Sequence, residues 1–279
     1  MAFMRFVEVI VGPKKGSGFK INGLKISFRI EKSDSSEPNT SSIKIYNLSQ
    51  DTSSKVTVAE NHIQLRAGYK DETIGAIFFG NVVSGQRYKD GNDYITELKV
   101  QDGRSAVMGN TISLSYTKDV EASTVASDIL NAIGLPFKGQ ENIPSGETYP
   151  SGYAYMGMAT NALKKVLDRF DLTYTIQNEM LYILKAGEAA GQTGLRLTPE
   201  TGLLTIPQPI SDKKDKDDVE AEAVNGWKFS TMLFPELLPG AACKVEASTF
   251  SGDMVIHKAI YEGDNWEGSF KIDIEAEAI

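Results

Sequence analysis

The sequence predicts a mainly β protein with an α+β insert: two antiparallel β-barrel domains flanking a small helical and hairpin domain. Three observations carry this. Apolar and polar residues alternate with a period of two near both ends, where Leu24, Ile26, Phe28 and Ile30 interleave with Lys25, Ser27, Arg29 and Glu31, and Phe270, Ile272, Ile274 and Ala276 interleave with Lys271, Asp273, Glu275 and Glu277. That period marks half-buried strands. Helical spacing is confined to the middle of the chain, and 25 glycines in 279 residues favour a turn-rich fold.

Taken in order, Phe3–Val11 is a short apolar run stopped by Gly12-Pro13, and the Leu24–Glu31 alternation follows it. A polar loop with Pro38 leads to a strand carrying Ile43 and Ile45. Ile63, Leu65, Ala67 and Tyr69 alternate in the next. Ile77–Tyr88 and Tyr94–Val100 flank Lys89-Asp90-Gly91-Asn92-Asp93, whose Asp-Gly pair signals a hairpin.

The pattern changes after about Arg104. Val125, Ile129, Ala132 and Ile133 recur at helical spacing, with Asp119 as the expected N-cap, Gly134 as the C′ residue and Pro136 beyond. A second helix is expected from Met158 to Phe170, with Leu163, Val166, Leu167 and Phe170 on one face. The Gly/Pro/Ser/Tyr-rich stretch Lys138–Tyr155 reads as a loop between them. Leu172–Ile176 and Met180–Leu184 form a hairpin about Gln177-Asn178-Glu179. A Gly/Ala-rich linker, Lys185–Thr193, opens the last part. Strands follow at Leu195–Leu197, Leu203–Ile206, Trp227–Leu233, Cys243–Ala247 and Met254–Tyr261, while the charged run Ser211–Ala223 reads as a solvated loop. The expected domains are therefore 1–104 and 191–279, both β-barrels, around 105–190.

Composition narrows the function. With 29 Lys+Arg against 37 Asp+Glu the net charge is −8, which argues against gripping a nucleic-acid backbone. A single cysteine, Cys243, excludes an intramolecular disulfide framework and a multi-cysteine zinc site. The longest uncharged apolar stretch, near Ile74–Val83, is far shorter than the roughly 20 residues of a membrane helix. Glu8 interrupts the would-be core of a signal peptide, so a cytoplasmic origin is expected.

Searching for chemistry yields no catalytic, cofactor or metal residue. Gly12-Pro13-Lys14-Lys15-Gly16-Ser17-Gly18 lacks the Gly-Lys-Ser/Thr ending of a P-loop, and a strand rather than a helix follows it. Asp212–Glu222 has the charge of a calcium loop, but Lys214 and Val219 fall where oxygen ligands are needed. There is no Gly-x-Ser-x-Gly elbow and no His-Glu-x-x-His motif. Only His62 and His257 are present; His257 reads as an inward or interfacial packing histidine in an alternating strand, and His62 as a strand-entrance or surface-turn residue. Cys243 reads as a small buried hydrophobe. The sequons at Asn39 and Asn47 carry no weight in a cytoplasmic product. Trp227 and Trp266 read as core or subunit-contact residues.

The stretch Ser42-Ile43-Lys44-Ile45-Tyr46-Asn47-Leu48-Ser49 resembles the strand and Asn-Leu turn found early in baseplate hub proteins of contractile phage tails. Ala67-Gly68-Tyr69, Ile77-Phe78-Phe79-Gly80-Asn81-Val82 and Val100-Gln101-Asp102-Gly103 follow in the same order. Ser115-Tyr116 and Ala122–Leu130 resemble the helical insert of those hubs. Leu237-Leu238-Pro239-Gly240, Val245-Glu246-Ala247, Ile256-His257-Lys258 and Glu262-Gly263-Asp264 resemble their second barrel. Such hubs are similar to the N-terminal region of type VI secretion spike proteins. The resemblance implies a structural, non-enzymatic virion protein of the tail baseplate, assembled in the host bacterial cytoplasm. It implies a homotrimeric ring that adapts the sixfold tail tube to the threefold central spike and lets DNA through its lumen. The expected partners are the spike, the tube protein or its initiator, the tape measure protein and surrounding baseplate proteins. No cofactor, specific nucleic-acid binding or membrane insertion is expected. The chain is too short for a fused lysozyme domain of the kind larger hubs carry. The alternatives are a tail-associated peptidoglycan hydrolase and a β-rich adhesin or binding module.

Overall fold

The computed structural model describes residues 4–14, 16–34, 40–102, 110–185, 189, 191–210 and 226–279. The charged run at 211–223 and the sequon at Asn39 lie outside them. The fold is mainly β, with 55% strand against 14% helix.

The first segment supplies β1 (Arg5–Gly12), β2 (Phe19–Ile21), β3 (Ile26–Ser33), β4 (Thr40–Tyr46), β5 (His62–Tyr69), β6 (Ile74–Asp90) and β7 (Asp93–Gln101), with the short helix α1 (Gln50–Val56) between β4 and β5. The middle supplies β8 (Thr111–Tyr116), β9 (Val120–Glu121), α2 (Ala122–Ile133), β10 (Phe137–Lys138), β11 (Thr148–Tyr149), β12 (Tyr153–Met158), α3 (Ala159–Leu167), β13 (Leu172–Gln177) and β14 (Met180–Lys185). The last segment supplies β15 (Gly191–Leu197), β16 (Gln208–Pro209), β17 (Gly226–Met232), β18 (Ala241–Glu246), β19 (Ser251–Asp264) and β20 (Phe270–Ala278).

The two β-rich ends share one 13-stranded sheet. Its main path runs β16-β17-β20-β19-β3-β4-β7-β6-β5-β1-β2, with β18 on β19 and β15 on β18. Among the described residues this path does not close into a barrel. The seam between the ends is the antiparallel pairing of β19 with β3, from Lys258 opposite Ser33 to Asp264 opposite Ser27. One apolar core accordingly spans both segments, with Ile26, Ile30, Ile43, Leu65 and Phe78 packed with Phe229, Tyr261, Ile272 and Ile274. Alternation makes this possible, since every second side chain of β3 and β20 turns inward. Gly263 belongs to the seam because a Cβ there would lie 2.4 Å from Phe28 Cζ. Its absence lets Phe28 and Phe270 pack edge to face at 6.1 Å.

The middle segment has its own core. Val125, Ile129 and Ile133 of α2 meet Leu163, Val166 and Leu167 of α3 and Leu181 and Ile183 of β14. Gly134 ends α2 in the left-handed region at φ 75, as its place predicts, with its N–H donating to Leu130 O. Asp119 is not the N-cap. It sits at φ 64 in a turn that donates to Tyr149 O, and Glu121 precedes α2; Asp tolerates that turn geometry. The stretch expected to be a loop contains β11 and the start of β12, and β12 pairs with β8 as a two-stranded ribbon. Leu203–Ile206 is not a strand but a strap on β17, held by the Leu203–Thr231 bridge and by Leu204 N and Thr205 N donating to Ser230 O at 2.8 and 3.2 Å.

α1 was invisible to the apolar pattern, and its signal is polar. Ser49 caps it, with Oγ accepting from Thr52 N at 3.1 Å, and Asp51 pairs with Lys55 one turn on. Among the described residues no helix is long and apolar enough to cross a membrane.

Candidate functional site

The conspicuous polar chemistry gathers at the end of β3, where the sheet halves and the middle segment meet. Lys32 is 1% exposed and Asp102, just past β7, is 3% exposed. Their charged atoms lie 3.9 Å apart. Both reach for the tip of the β13–β14 hairpin. Lys32 Nζ donates to Asn178 Oδ1 at 2.6 Å. Asp102 accepts the backbone N–H groups of Asn178 at 2.6 Å and Glu179 at 3.1 Å. Asn178 and Glu179 have φ of 54 and 60, the left-handed pair that a two-residue hairpin turn demands. This twist aims both N–H groups at one carboxylate. Gln177 Nε2 donates to Ser33 O at 2.6 Å and to Thr175 Oγ1 at 3.0 Å, adding a second grip on the same strand end.

Electrostatics follow burial. Burial pushes the Lys32 ammonium down to about 8, with Asp102 opposing. Burial pushes the Asp102 carboxyl up, against Lys32 and the two backbone donors. Any other docking of the hairpin would leave buried Lys32 and Asp102 without the Asn178 and Glu179 groups that satisfy them.

Two residues on, Asp34 takes part in a second joint. β19 pairs with β18 from Ser251 to Val255 and with β3 from Lys258 to Asp264. The register also shifts against β20 between Ile256 and Lys258, so His257 is the bulged residue where the strand changes partner. Its Nδ1 lies 2.5 Å from Asp34 Oδ2 and its Nε2 3.2 Å from Glu277 Oε2. The Asp34 hydrogen bond raises the imidazole above its ordinary value, against partial burial. Of the inward and interfacial readings, the inward one is corrected: His257 is half-exposed and ties β19, β20 and the end of β3 together. The bulge turns it out of the inward register.

The other residues singled out from sequence lie apart. His62 opens β5, with Nδ1 3.5 Å from Glu179 Oε1, so it borders the hairpin tip. Cys243 is buried, and burial pushes its thiol up to about 12. Gly12 and Gly18 approach closely, because a Cβ on Gly12 would lie 2.6 Å from Gly18 Cα, and strand β2 follows. Trp227 is half-buried against Phe250, with ring centroids 5.0 Å apart, and Trp266 is 67% exposed on the β19–β20 loop. Asn47 sits at φ 58 and clasps the other hairpin: it donates from Nδ2 to Asp93 at 2.7 Å and accepts from Tyr94 N at 3.0 Å. Among the described residues no three His, Cys, Asp or Glu side chains gather as a metal-ion cluster. The joints orient segments of the chain through protein–protein hydrogen bonds, with Gln177 Oε1 left as a buried acceptor without a partner.

No family model matches this sequence, and neither does any curated protein. The fold is similar to solved structures over more than nine-tenths of this chain. A 43 kDa tail protein of prophage MuSo2 from Shewanella oneidensis is 11% identical, with 98% of each chain covered and a TM-score of 0.62. A tail protein from Neisseria meningitidis MC58 is 9% identical, with 99% of this chain and 97% of that one covered and a TM-score of 0.63. The Escherichia coli c3393 protein, a type VI secretion component described as similar to the T4 tail proteins gp27 and gp5, is 11% identical over 92% of this chain and 73% of its own, with a TM-score of 0.58. At these identities the likeness is one of fold: the chain shares its fold with phage tail proteins and a type VI secretion component.

Proposed function

We propose that this chain is a structural baseplate hub protein of a contractile phage tail. The observation that supports the reading is the fold likeness to the Shewanella tail protein over 98% of both chains. In this reading three copies form a ring that adapts the sixfold tail tube to the threefold central spike, in the virion tail, after assembly in the host cytoplasm. Segments 1–104 and 191–279 act as the two barrel-like units of each subunit, and 105–190 projects as the insert. The spike, the tube or its initiator, the tape measure protein and neighbouring baseplate proteins are the partners. No catalytic role is assigned.

Charge supports the same reading. Three chains at −8 carry −24, and a negative lumen lets a polyanion slide where basic walls would hold it. Mass photometry of the purified chain tests the ring: the expected species has three times the 30.5 kDa subunit mass. A monomer that stays monomeric when mixed with its spike partner would overturn it. Cell-wall zymography is expected to give no cleared band, and a cleared band would favour the hydrolase instead.

A further inference from the structure

The large sheet and the insert are joined to each other in a different way from that in which each holds itself together. Among the described residues no strand of the insert pairs with the 13-stranded sheet. Their two apolar cores share no residue, and no part-buried apolar residue packed on one core belongs to the other unit. The hydrogen bonds described between the units converge instead on one hairpin. On the insert side, Thr175 Oγ1 and Gln177 Nε2 donate to Ser33 O, and Asn178 and Glu179 meet Lys32 and Asp102. The sheet side is thus the ends of β3 and β7, with His62 at the start of β5 reaching Glu179 beside them.

This joint is buried yet polar. Lys32, Asp102, Thr175 and Gln177 are all buried, so apolar burial, which drives most docking, contributes little here. Hydrogen bonds add a modest net amount because each replaces a bond to water. Lys32 and Asp102 both carry a desolvation penalty, visible as an ammonium pulled down and a carboxyl pushed up by burial. Gln177 Oε1 is buried with no partner, and it gains one from water once the hairpin leaves. Undocking therefore relieves three desolvated groups and leaves both apolar cores whole, whereas pulling either core apart exposes apolar surface with no such relief.

We propose that Lys32 and Asp102 form a latch, and that the insert 110–185 leaves the large sheet as a folded unit when the latch opens. The chain then has two arrangements, one with the β13–β14 tip seated on Lys32 and Asp102 and one with the tip in solvent. Both halves of the latch are held by their own strands. The hairpin ladder runs from Leu172 opposite Lys185 to Gln177 opposite Met180, so the tip keeps its turn with or without Asp102. On the other side β3 is paired with β19 as far as Ser33, and β7 is paired with β4 and β6 as far as Gln101. The latch does not depend on the reading of the chain as a tail component.

Amide hydrogen exchange and amine labelling of the full chain read the two arrangements. The N–H groups of Asn178 and Glu179 are expected to exchange at least about 100-fold faster, relative to their intrinsic rates, than those of α2 and β19. The β13–β14 ladder is expected to stay as protected as α2, and Lys32 to be acetylated by acetic anhydride faster than the chain unfolds. Spin labels at Lys55→Cys in α1 and Lys164→Cys in α3, both exposed positions, follow the two units directly, since the native thiol of Cys243 is buried. The wild-type background is expected to give one narrow distance, and Asp102→Asn to add a second, broader population at unchanged helix content. Where Asp102→Asn does not fold, wild-type exchange and labelling test the latch on their own. Equal protection at the tip, the β13–β14 ladder and α2 would overturn the proposal. So would exchange of the tip together with its ladder, which would mean that the hairpin frays rather than undocks. A single unchanged distance in folded Asp102→Asn would overturn it as well.

Discussion

Two charged joints meet the end of β3 two residues apart, and they differ in almost every physical respect. Lys32 and Asp102 are buried and hold a hairpin from the insert. His257 with Asp34 and Glu277 is half-exposed and holds the sheet to itself. Burial makes the first joint strong and specific but costly to charge, whereas solvent makes the second adjustable and weak. Position in the chain says nothing of this. The difference arises because the insert covers one joint and leaves the other open.

The comparison breaks most sharply at Asp102. Asp102→Ala strands two hairpin N–H groups and a buried ammonium, so a loss of about 3–5 kcal/mol is expected in urea unfolding. Asn178→Ala removes the acceptor for Lys32 and puts a Cβ residue without a polar side chain in the left-handed region, for an expected loss of about 1–3 kcal/mol. At the open joint, His257→Gln is expected to cost less than about 1 kcal/mol at pH 6.

The two joints also predict opposite pH slopes. Lys32 titrates lower in the folded chain, at about 8, than its unfolded value of roughly 10.4. The unfolded chain therefore binds the extra proton between those values, and this joint adds stability as pH rises across that window. Lys32→Met should remove that rise from the wild-type curve. His257 titrates higher in the folded chain than its unfolded value of about 6.5. Its contribution is complete below that value and is lost as pH rises through the folded one, and His257→Gln should flatten that decline. Thermal melts from pH 5 to pH 10 on the wild type and both variants measure both slopes, and slopes of equal sign would refute the contrast. An effect comparable to that of the open joint is expected at the β6–β7 hairpin. There Asn47→Gly keeps the turn geometry but loses the clasp on Asp93, for a loss of about 0.5–1.5 kcal/mol.

Much of the sheet was readable because burial on one face imprints alternation, as in β3 and β20, and because Asp90-Gly91 marks the β6–β7 turn. α2 and α3 were readable from the apolar stripe that faces a single core. Three features were not. β12 is a run of Tyr, Met, Gly and Ala whose outward face is uncharged, so it lacks the apolar–polar contrast that reveals a strand. α1 is seven residues long and announces itself by its cap rather than by periodicity. The joints depend on pairs such as Lys32 with Asn178, 146 residues apart, and no local pattern records them. Alternation alone would also turn His257 inward, because it cannot foresee the extra residue of the bulge.

The seam between β3 and β19 has a further consequence for the order in which the chain can fold. Ser33 pairs with Lys258, so most of the chain must be made before β3 finds its second neighbour. Closing so long a loop is an entropic cost met late, which slows folding relative to local hairpins. During synthesis the finished first segment exposes the outer edge of β3, with its backbone groups unpaired. β19 therefore closes the edge that β3 leaves open, and a chain stopped before β19 is a candidate for aggregation rather than for assembly.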